Sequence, residues 1–181
     1  MFKSNSGFTL IELIVVIVLL GILAVTVFPR FINNSSDAHL AVFKSTFGSF
    51  KSAMNSTNIL WVVRGSPTDN NAINVDGDLD YNSLGYPAGI DDGAQVSTAS
   101  DCLDIFKGIL QTNLVAEVPV GDGPGIKNLS AVVDVAVTNN SGTCYYTFVS
   151  QSKSVGFNAR QFRYLYRTGS VIEWAPGYTL N

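Results

Sequence analysis

The most constraining feature of this chain is an apolar run near the N-terminus that contains one carboxylate. Within residues 8–28, the only charged side chain is that of Glu12. At about 1.5 Å per residue, a helix of this length spans roughly 31 Å, enough to cross the hydrocarbon core of a bilayer. A carboxylate at the centre of such a helix costs roughly 3 kcal/mol and costs less near its end, so Glu12 is expected to have a partner or a function.

The partner of Glu12 is expected to come from a second copy of the chain. Lys3 orients the N-terminus toward the cytoplasm but lies too far along the helix to pair with Glu12. Cleavage after Gly7 would create an α-amino group on Phe8, a cation at the same membrane depth in a neighbouring subunit. Burying both charges is tolerable only when subunits associate, so this pair would set the register of an assembly.

Residues 7–12, Gly-Phe-Thr-Leu-Ile-Glu, resemble the prepilin cleavage and methylation motif of bacterial type IV pilins and type II secretion pseudopilins. The resemblance implies that a prepilin peptidase cuts after Gly7 and methylates the new N-terminus at Phe8. It also implies that Glu12 is the assembly glutamate. Residues 29–39 and the Gly-Tyr-Pro sequence at 85–87 resemble the mannose-sensitive haemagglutinin branch of the pilins.

These observations predict three parts along the chain. Residues 1–7 form a cleaved leader, and residues 8–28 form the transmembrane and assembly half of an N-terminal helix. Residues 29–181 form a periplasmic head that includes the amphipathic half of that helix, 29–64. An ordinary secretory signal is the alternative for the N-terminus, but residues 27–30 offer no small-residue cleavage site, and a plain membrane anchor would have no need of Glu12.

The N-terminal helix is expected to continue beyond the apolar run. Phe43, Phe47, Phe50 and Met54 follow one another at spacings of four, three and four, which predicts one helical stripe facing a core. Glycine, serine and proline at 65–67 end this helix. Gly21 and Pro29 predict a bend or a local loss of helix between them, in a stretch similar to the one that extends when pilins assemble.

The remainder predicts an α+β, type IV pilin-like fold in which the long N-terminal helix packs on an antiparallel sheet of about four strands. Residues 66–104 contain eight aspartates and no lysine or arginine, which predicts a loop. A short helix capped by Ser100 or Asp101 then places Cys102 on a buried face. Strands are predicted at 130–137, 143–150, 161–166 and 170–174.

Cys102 and Cys144 lie on the opposite side of the membrane from Lys3, which in a bacterium is the oxidising periplasm. A disulfide between them is therefore expected, and two buried thiols are the alternative. No C-x-x-C is present, and the one histidine, His39, lies in another segment, so a metal or redox site at the cysteines is not expected. His39 is interpreted as a surface or subunit-contact residue.

No enzymatic activity is expected, because the chain has no triad that one histidine could complete, no H-E-x-x-H and no Walker lysine. Nothing indicates nucleic-acid binding. No cofactor is expected, although calcium is a candidate because Asp76, Asp78 and Asp80 alternate between Asn74 and Asn82. An EF-hand would need glycine at position 79 and glutamate at position 85, where the chain has leucine and glycine. A solvated acidic loop is therefore the preferred reading.

The sequence predicts a structural subunit of a type IV pilus that serves surface attachment. The precursor would be a single-pass protein of the bacterial inner membrane with a periplasmic head, and the product an extracellular pilus. Expected partners are other copies of the chain or other pilins, a prepilin peptidase, and an assembly ATPase with its platform protein. A type II secretion pseudopilin is the alternative, and a membrane-tethered adhesion module that does not need Glu12 is a third reading.

A contact between heads is also expected from the distribution of charge. Residues 66–104 are acidic, whereas Lys153, Arg160, Arg163 and Arg167 make the C-terminal part basic. Helical filaments join different surfaces of identical subunits, so these two regions could meet between neighbours. Contacts within one head, or exposure to water, are the alternatives.

Overall fold

Two helices and seven strands make up the described part of the chain. A computed structural model describes residues 8–66, 79–90, 95–119, 129, 132–149 and 160–174. For residues 27–36 it describes the backbone only. In chain order the elements are α1 (Leu10–Val63), β1 (Asp80–Tyr81), β2 (Pro87–Gly89), α2 (Ala99–Ile109), β3 (Ala116–Glu117), β4 (Val135–Asn140), β5 (Thr143–Phe148), β6 (Gln161–Leu165) and β7 (Ser170–Trp174). The chain divides into two units, Met1–Val42 and Phe43–Asn181, and α1 contributes to both.

Helix α1 is continuous over its 54 residues, including Gly21 and Pro29. The local loss of helix expected between these residues is therefore not found. A proline removes one backbone donor and its ring crowds the carbonyl four residues earlier, which can bend a helix without ending it. A role for Gly21 and Pro29 in helix flexibility during assembly stays a prediction.

Helix α1 ends where glycine was expected to end it. Gly65 has a φ of +88° and donates its N–H to the carbonyl of Val62 at 3.0 Å. Ser66 donates its N–H to the carbonyl of Trp61, also at 3.0 Å. This pair of bonds is a Schellman motif, in which the residue after the helix adopts a left-handed conformation that glycine tolerates best.

The second unit contains a mixed sheet of five strands in the order β3-β4-β5-β6-β7, in which β4 to β7 are antiparallel neighbours and β3 runs parallel to β4. The four predicted strands are present as β4 to β7, but the prediction began β4 too early. It also missed β3 and the separate pair β1 and β2, which lies in a region predicted as loop. Strands of two or three residues are too short to show a period in sequence. The α+β class is confirmed.

The aromatic stripe of α1 packs on the inner face of this sheet. Phe43, Phe50 and Met54 are buried and Phe47 is half-buried, as their spacing predicted. The ring of Phe50 lies 5.1 Å from that of Tyr146. The other rings around Phe50 belong to Phe106, Phe162 and Tyr164. These aromatic contacts join α1, α2, β5 and β6 in one core.

Helix α2 begins at a capping box that lies earlier than the sequence predicted. Thr98 is the N-cap: its hydroxyl accepts the N–H of Asp101, and the Asp101 carboxylate accepts the N–H of Thr98 at 2.8 Å. Ser97 also donates its N–H to this carboxylate, at 2.7 Å. Asp101 is thus the third residue of the helix, and the prediction of a cap at Ser100 or Asp101 is wrong. The buried face with Cys102 is confirmed.

Asp101→Asn is expected to lower the free energy of unfolding of the head by about 1 kcal/mol at neutral pH. Burial raises the pKa of Asp101, but hydrogen bonds from Thr98 and Ser97 outweigh it and hold the pKa below its ordinary value of 3.8. Stabilisation by the carboxylate is therefore complete above pH 3.8 and is lost as the pH falls through the folded-state pKa. Urea unfolding at pH 7 and pH 3 should show a smaller effect of the substitution at pH 3. An equal effect of the substitution at the two pH values would contradict the stabilising role of the ionised Asp101 carboxylate.

A disulfide between Cys102 and Cys144 joins α2 to β5, as predicted. Both residues are fully buried, and their Cα atoms are 5.4 Å apart. The hydroxyl of Tyr146 donates to the carbonyl oxygen of Cys102 at 2.9 Å. The disulfide therefore covalently joins two elements that already pack together.

Replacing both cysteines by alanine is expected to lower the free energy of unfolding of the head by about 4 kcal/mol. The disulfide closes a loop with a sequence separation of 42 residues, and cross-linking a loop of this length restricts the unfolded chain by that amount in the chain-entropy model. Urea unfolding with and without reductant measures the change. The alanine variant is the control, because its stability should not respond to reductant. A loss below about 1 kcal/mol would rule out the entropic account.

Candidate functional site

The first turn of α1 carries the residues of the predicted processing and assembly site. Thr9 precedes the helix, and its N–H and hydroxyl both donate to Oε2 of Glu12, at 2.9 Å and 2.7 Å. The N–H of Glu12 in turn donates to the Thr9 hydroxyl oxygen at 3.4 Å. These reciprocal bonds form a capping box, in which Thr9 is the cap and Glu12 the third helical residue. The carboxylate is therefore directed back toward the start of the helix.

The surroundings of Glu12 are apolar and exposed. Glu12 lines a shallow open groove with four apolar residues, Phe8, Ile11, Val15 and Val16. Every side chain in residues 8–26 is exposed in the single chain. The exposed fraction is 82% for Phe8 and 70% for Ile11. A continuous apolar surface of this extent indicates an interaction with a membrane or with other subunits.

The described residues contain no helix that is both long enough and apolar enough to cross a membrane. The assignment of 8–28 as a transmembrane segment stays a prediction. Gly7, the predicted cleavage residue, lies outside the described residues, whereas Phe8 is the first residue described. Gly21 is exposed on α1, and the space around its Cα is open.

The calcium candidates are only partly described. Asp76 and Asp78 lie outside the described residues, and Asp80 is fully buried in β1. Asn82 is also buried, and its side-chain oxygen accepts the backbone N–H groups of Leu84 and Tyr86 at 2.9 Å and 3.0 Å. Two accepted hydrogen bonds use both lone pairs of that oxygen, so Asn82 is unsuited to be a ligand.

In the part of the chain that the structure describes, no three histidine, cysteine, aspartate or glutamate side chains are grouped as metal ligands. Calcium binding itself stays untested, because two of the candidates are not described. His39 is exposed on α1, and a subunit contact at this residue also stays a prediction.

The Gly-Tyr-Pro sequence at 85–87 has a structural role. Gly85 has a φ of +77°, and a Cβ atom built there would lie 2.4 Å from the ring of Trp61. The carbonyl oxygen of Pro87 accepts the hydroxyl hydrogen of Tyr164 at 2.8 Å. Asn58 donates its side-chain amide to the carbonyl oxygen of Leu84 at 2.8 Å. This turn thus fixes the segment containing β1 and β2 to the end of α1 and to the sheet.

The expected contact between acidic and basic head regions stays a prediction, because only part of either region is described. Asp80 is buried, and Asp101 is buried as part of the α2 cap, so neither presents its charge to a neighbour. The guanidinium of Arg163 lies 4.7 Å from the ring centre of Trp174, on the sheet. Arg167 is exposed beside the ring of Tyr166. Of these four residues, Arg167 is exposed and Arg163 is half-buried.

Sequence reasoning did not assign a role to Thr9. The signal was present, because threonine followed three residues later by glutamate is the pattern of a capping box. The structure brings Thr9 and Glu12 together at hydrogen-bond distance.

Comparison with protein families supports the reading of this N-terminal segment. Comparison with curated proteins gave no match, and comparison with solved structures also gave none. Residues 2–28 match a family model described as the prokaryotic N-terminal methylation motif, and the match contains Gly7, Phe8, Thr9 and Glu12. The chain therefore carries the prepilin-type processing motif, which supports a pilin or pseudopilin subunit.

Proposed function

We propose that this chain is a structural subunit of a type IV pilus, similar to the mannose-sensitive haemagglutinin type, and that it polymerises through its N-terminal helix. The observation that carries the proposal is the methylation motif at residues 2–28. The motif contains both the predicted cleavage position, between Gly7 and Phe8, and the carboxylate of Glu12 in an apolar helix. The role is structural and not enzymatic. The filament would serve attachment to surfaces.

The proposed course of events depends on two charges. Cleavage creates a positive α-amino group on Phe8, and this group can pair with the negative carboxylate of Glu12. The precursor is held in the bacterial inner membrane by residues 8–28, with its head in the periplasm. A prepilin peptidase releases the leader and methylates Phe8. An assembly ATPase and its platform protein then add the subunit to the filament, where the α-amino group of Phe8 pairs with Glu12 of a neighbouring copy.

Exposed apolar surface supports assembly through this helix. Every side chain in residues 8–26 is exposed in a single chain, and the large apolar ones remain without cover until a membrane or other subunits supply it. In the membrane, lipid tails cover this surface. In a filament, the same surface packs against other copies, so one helix is suited to both environments.

The mature protein is expected to begin at Phe8 and to be N-methylated there. Mass spectrometry of the N-terminal peptide from membrane and sheared fractions measures both changes. A strain without the peptidase is the control, in which residues 1–7 should be retained. Detection of Met1, or of a new N-terminus near Phe28, in assembled material would contradict the proposal.

A pseudopilin of a type II secretion system is the second candidate, because the same motif is found in both groups of proteins. Mechanical shearing separates the two. A pilus subunit should appear as filaments released from the cell surface. A pseudopilin should remain with the cell envelope, and deleting it should cause exported proteins to accumulate in the periplasm.

A further inference from the structure

The carboxylate of Glu12 is bound on one side by its own chain. Both donors of Thr9, its N–H and its hydroxyl, reach the same oxygen, Oε2. The Thr9 hydroxyl also accepts the N–H of Glu12, so it acts as donor and acceptor within one turn. These bonds leave the second oxygen, Oε1, as the one that a partner from another chain can approach.

We propose that Thr9 is a positioning residue for Glu12, which holds Oε2 and thereby presents Oε1 to the α-amino group of a second copy of the chain. This inference rests on the proposed function, because it needs the pairing of Glu12 with a neighbouring N-terminus. In the assembled pair, the carboxylate would accept hydrogen bonds from its own Thr9 and from the neighbouring ammonium at the same time.

Entropy favours this arrangement. A free glutamate side chain has three rotatable bonds and occupies many rotamers, which must be restricted when it forms an ion pair. The capping box restricts them before the second copy arrives, so less conformational freedom is lost on assembly. Helical side chains also lean toward the helix N-terminus, which is the direction in which the capping box holds the carboxylate.

Thr9 also matters before assembly. Phe8, Ile11, Val15 and Val16 surround the carboxylate with apolar groups, and a polar group in such surroundings needs hydrogen bonds. Thr9 supplies two such hydrogen bonds while the subunit is still in the membrane. The proposed pairing adds the ammonium to these bonds and does not have to replace them.

The test replaces Thr9 in the full-length chain in the cells that produce it. Thr9→Val keeps the branched shape and the backbone N–H but removes the hydroxyl, whereas Thr9→Ser keeps the hydroxyl. Ser56→Ala is the matched control, because Ser56 is exposed on the same helix outside residues 8–28 and its hydroxyl donates to the carbonyl oxygen of Ser52 at 3.1 Å. The measured quantity is the assembled fraction, the amount of sheared filament divided by the amount of cleaved subunit.

Thr9→Val is expected to lower the assembled fraction by about tenfold, the change that follows from losing one hydrogen bond to a charged group. Thr9→Ser and Ser56→Ala should keep the assembled fraction within about twofold of that of the native chain, a change smaller than the loss of one such bond would cause. Normal assembly of Thr9→Val overturns the inference, as does equally poor assembly of Thr9→Ser. A Thr9→Val precursor that is not cleaved at all also overturns it, because Thr9 would then act in processing.

Glu12→Gln, measured in the same way, separates this inference from the proposed function. If Glu12→Gln assembles normally, the assembly role of Glu12 fails, and the role of Thr9 fails with it. If Glu12→Gln blocks assembly while Thr9→Val assembles normally, only the positioning role of Thr9 is wrong.

Discussion

Glu12→Gln is expected to reduce the yield of assembled filaments by about a hundredfold or more, while insertion and cleavage of the precursor continue. The substitution removes the negative charge but keeps an oxygen that can accept hydrogen bonds from Thr9. The α-amino group of a neighbouring Phe8 would then be buried without a counter-charge. Breaking a buried ion pair by removing one partner costs about 3–5 kcal/mol, which corresponds to a hundredfold or more in an equilibrium constant.

The measurement compares sheared filaments with cleaved subunits in the membrane fraction. Glu173→Gln is a suitable control, because Glu173 is an exposed carboxylate on β7 and the chemical change is the same. The control should assemble normally. Filaments in normal quantity from Glu12→Gln would show that the charge of Glu12 is not required and would favour a tethered module that does not polymerise through this helix.

Phe50→Ala is expected to lower the free energy of unfolding of the head by about 3–5 kcal/mol. Phe50 is fully buried, and its ring contacts those of Phe106, Tyr146, Phe162 and Tyr164. Removing the ring leaves a cavity between α1, α2 and the sheet, and the contacts across it are lost. Because a domain of this size is stable by only about 5–15 kcal/mol, this loss would remove a large share of the stability of the head.

Phe47→Ala is the matched control for Phe50→Ala. Phe47 lies on the same helix and is half-buried, with its ring 5.7 Å from that of Phe162. Its loss is expected to be about half as large, because roughly half as much apolar surface returns to water. Urea unfolding of a soluble head, residues 37–181, measures both. Equal effects of the two substitutions would contradict the packing described for Phe50.

Elements with a clear period were predicted well from sequence. The stripe of Phe43, Phe47, Phe50 and Met54 predicted both a helix and its buried face, and the end of α1 at the glycine was also predicted. Strands β4 to β7 were found because each has five or six residues and includes β-branched or aromatic side chains, which favour strands. The expected location of Cys102 and Cys144 in an oxidising compartment predicted a disulfide, and the structure contains it.

The candidate site was also largely visible in the sequence. Gly7, Phe8 and Glu12 lie within a motif of six consecutive residues, 7–12, and such a local motif can be recognised without the rest of the fold. Thr9 could have been assigned by the same local reasoning, because its bonds to Glu12 span only three residues. The site could be predicted because its geometry is that of a single helical turn.

Tertiary contacts decided the features that sequence reasoning missed. Asn82 donates to the carbonyl of Tyr166 across 84 residues, and the hydroxyl of Tyr164 donates to the carbonyl of Pro87 across 77 residues. These contacts position β1 and β2 in a region whose composition predicted only an acidic loop. Asp80 is likewise fully buried, and burial of a residue depends on the tertiary structure around it. Residues 8–12 could be interpreted from local spacing because their interactions are local, whereas the environment of residues 79–90 is set by partners that are distant in the chain.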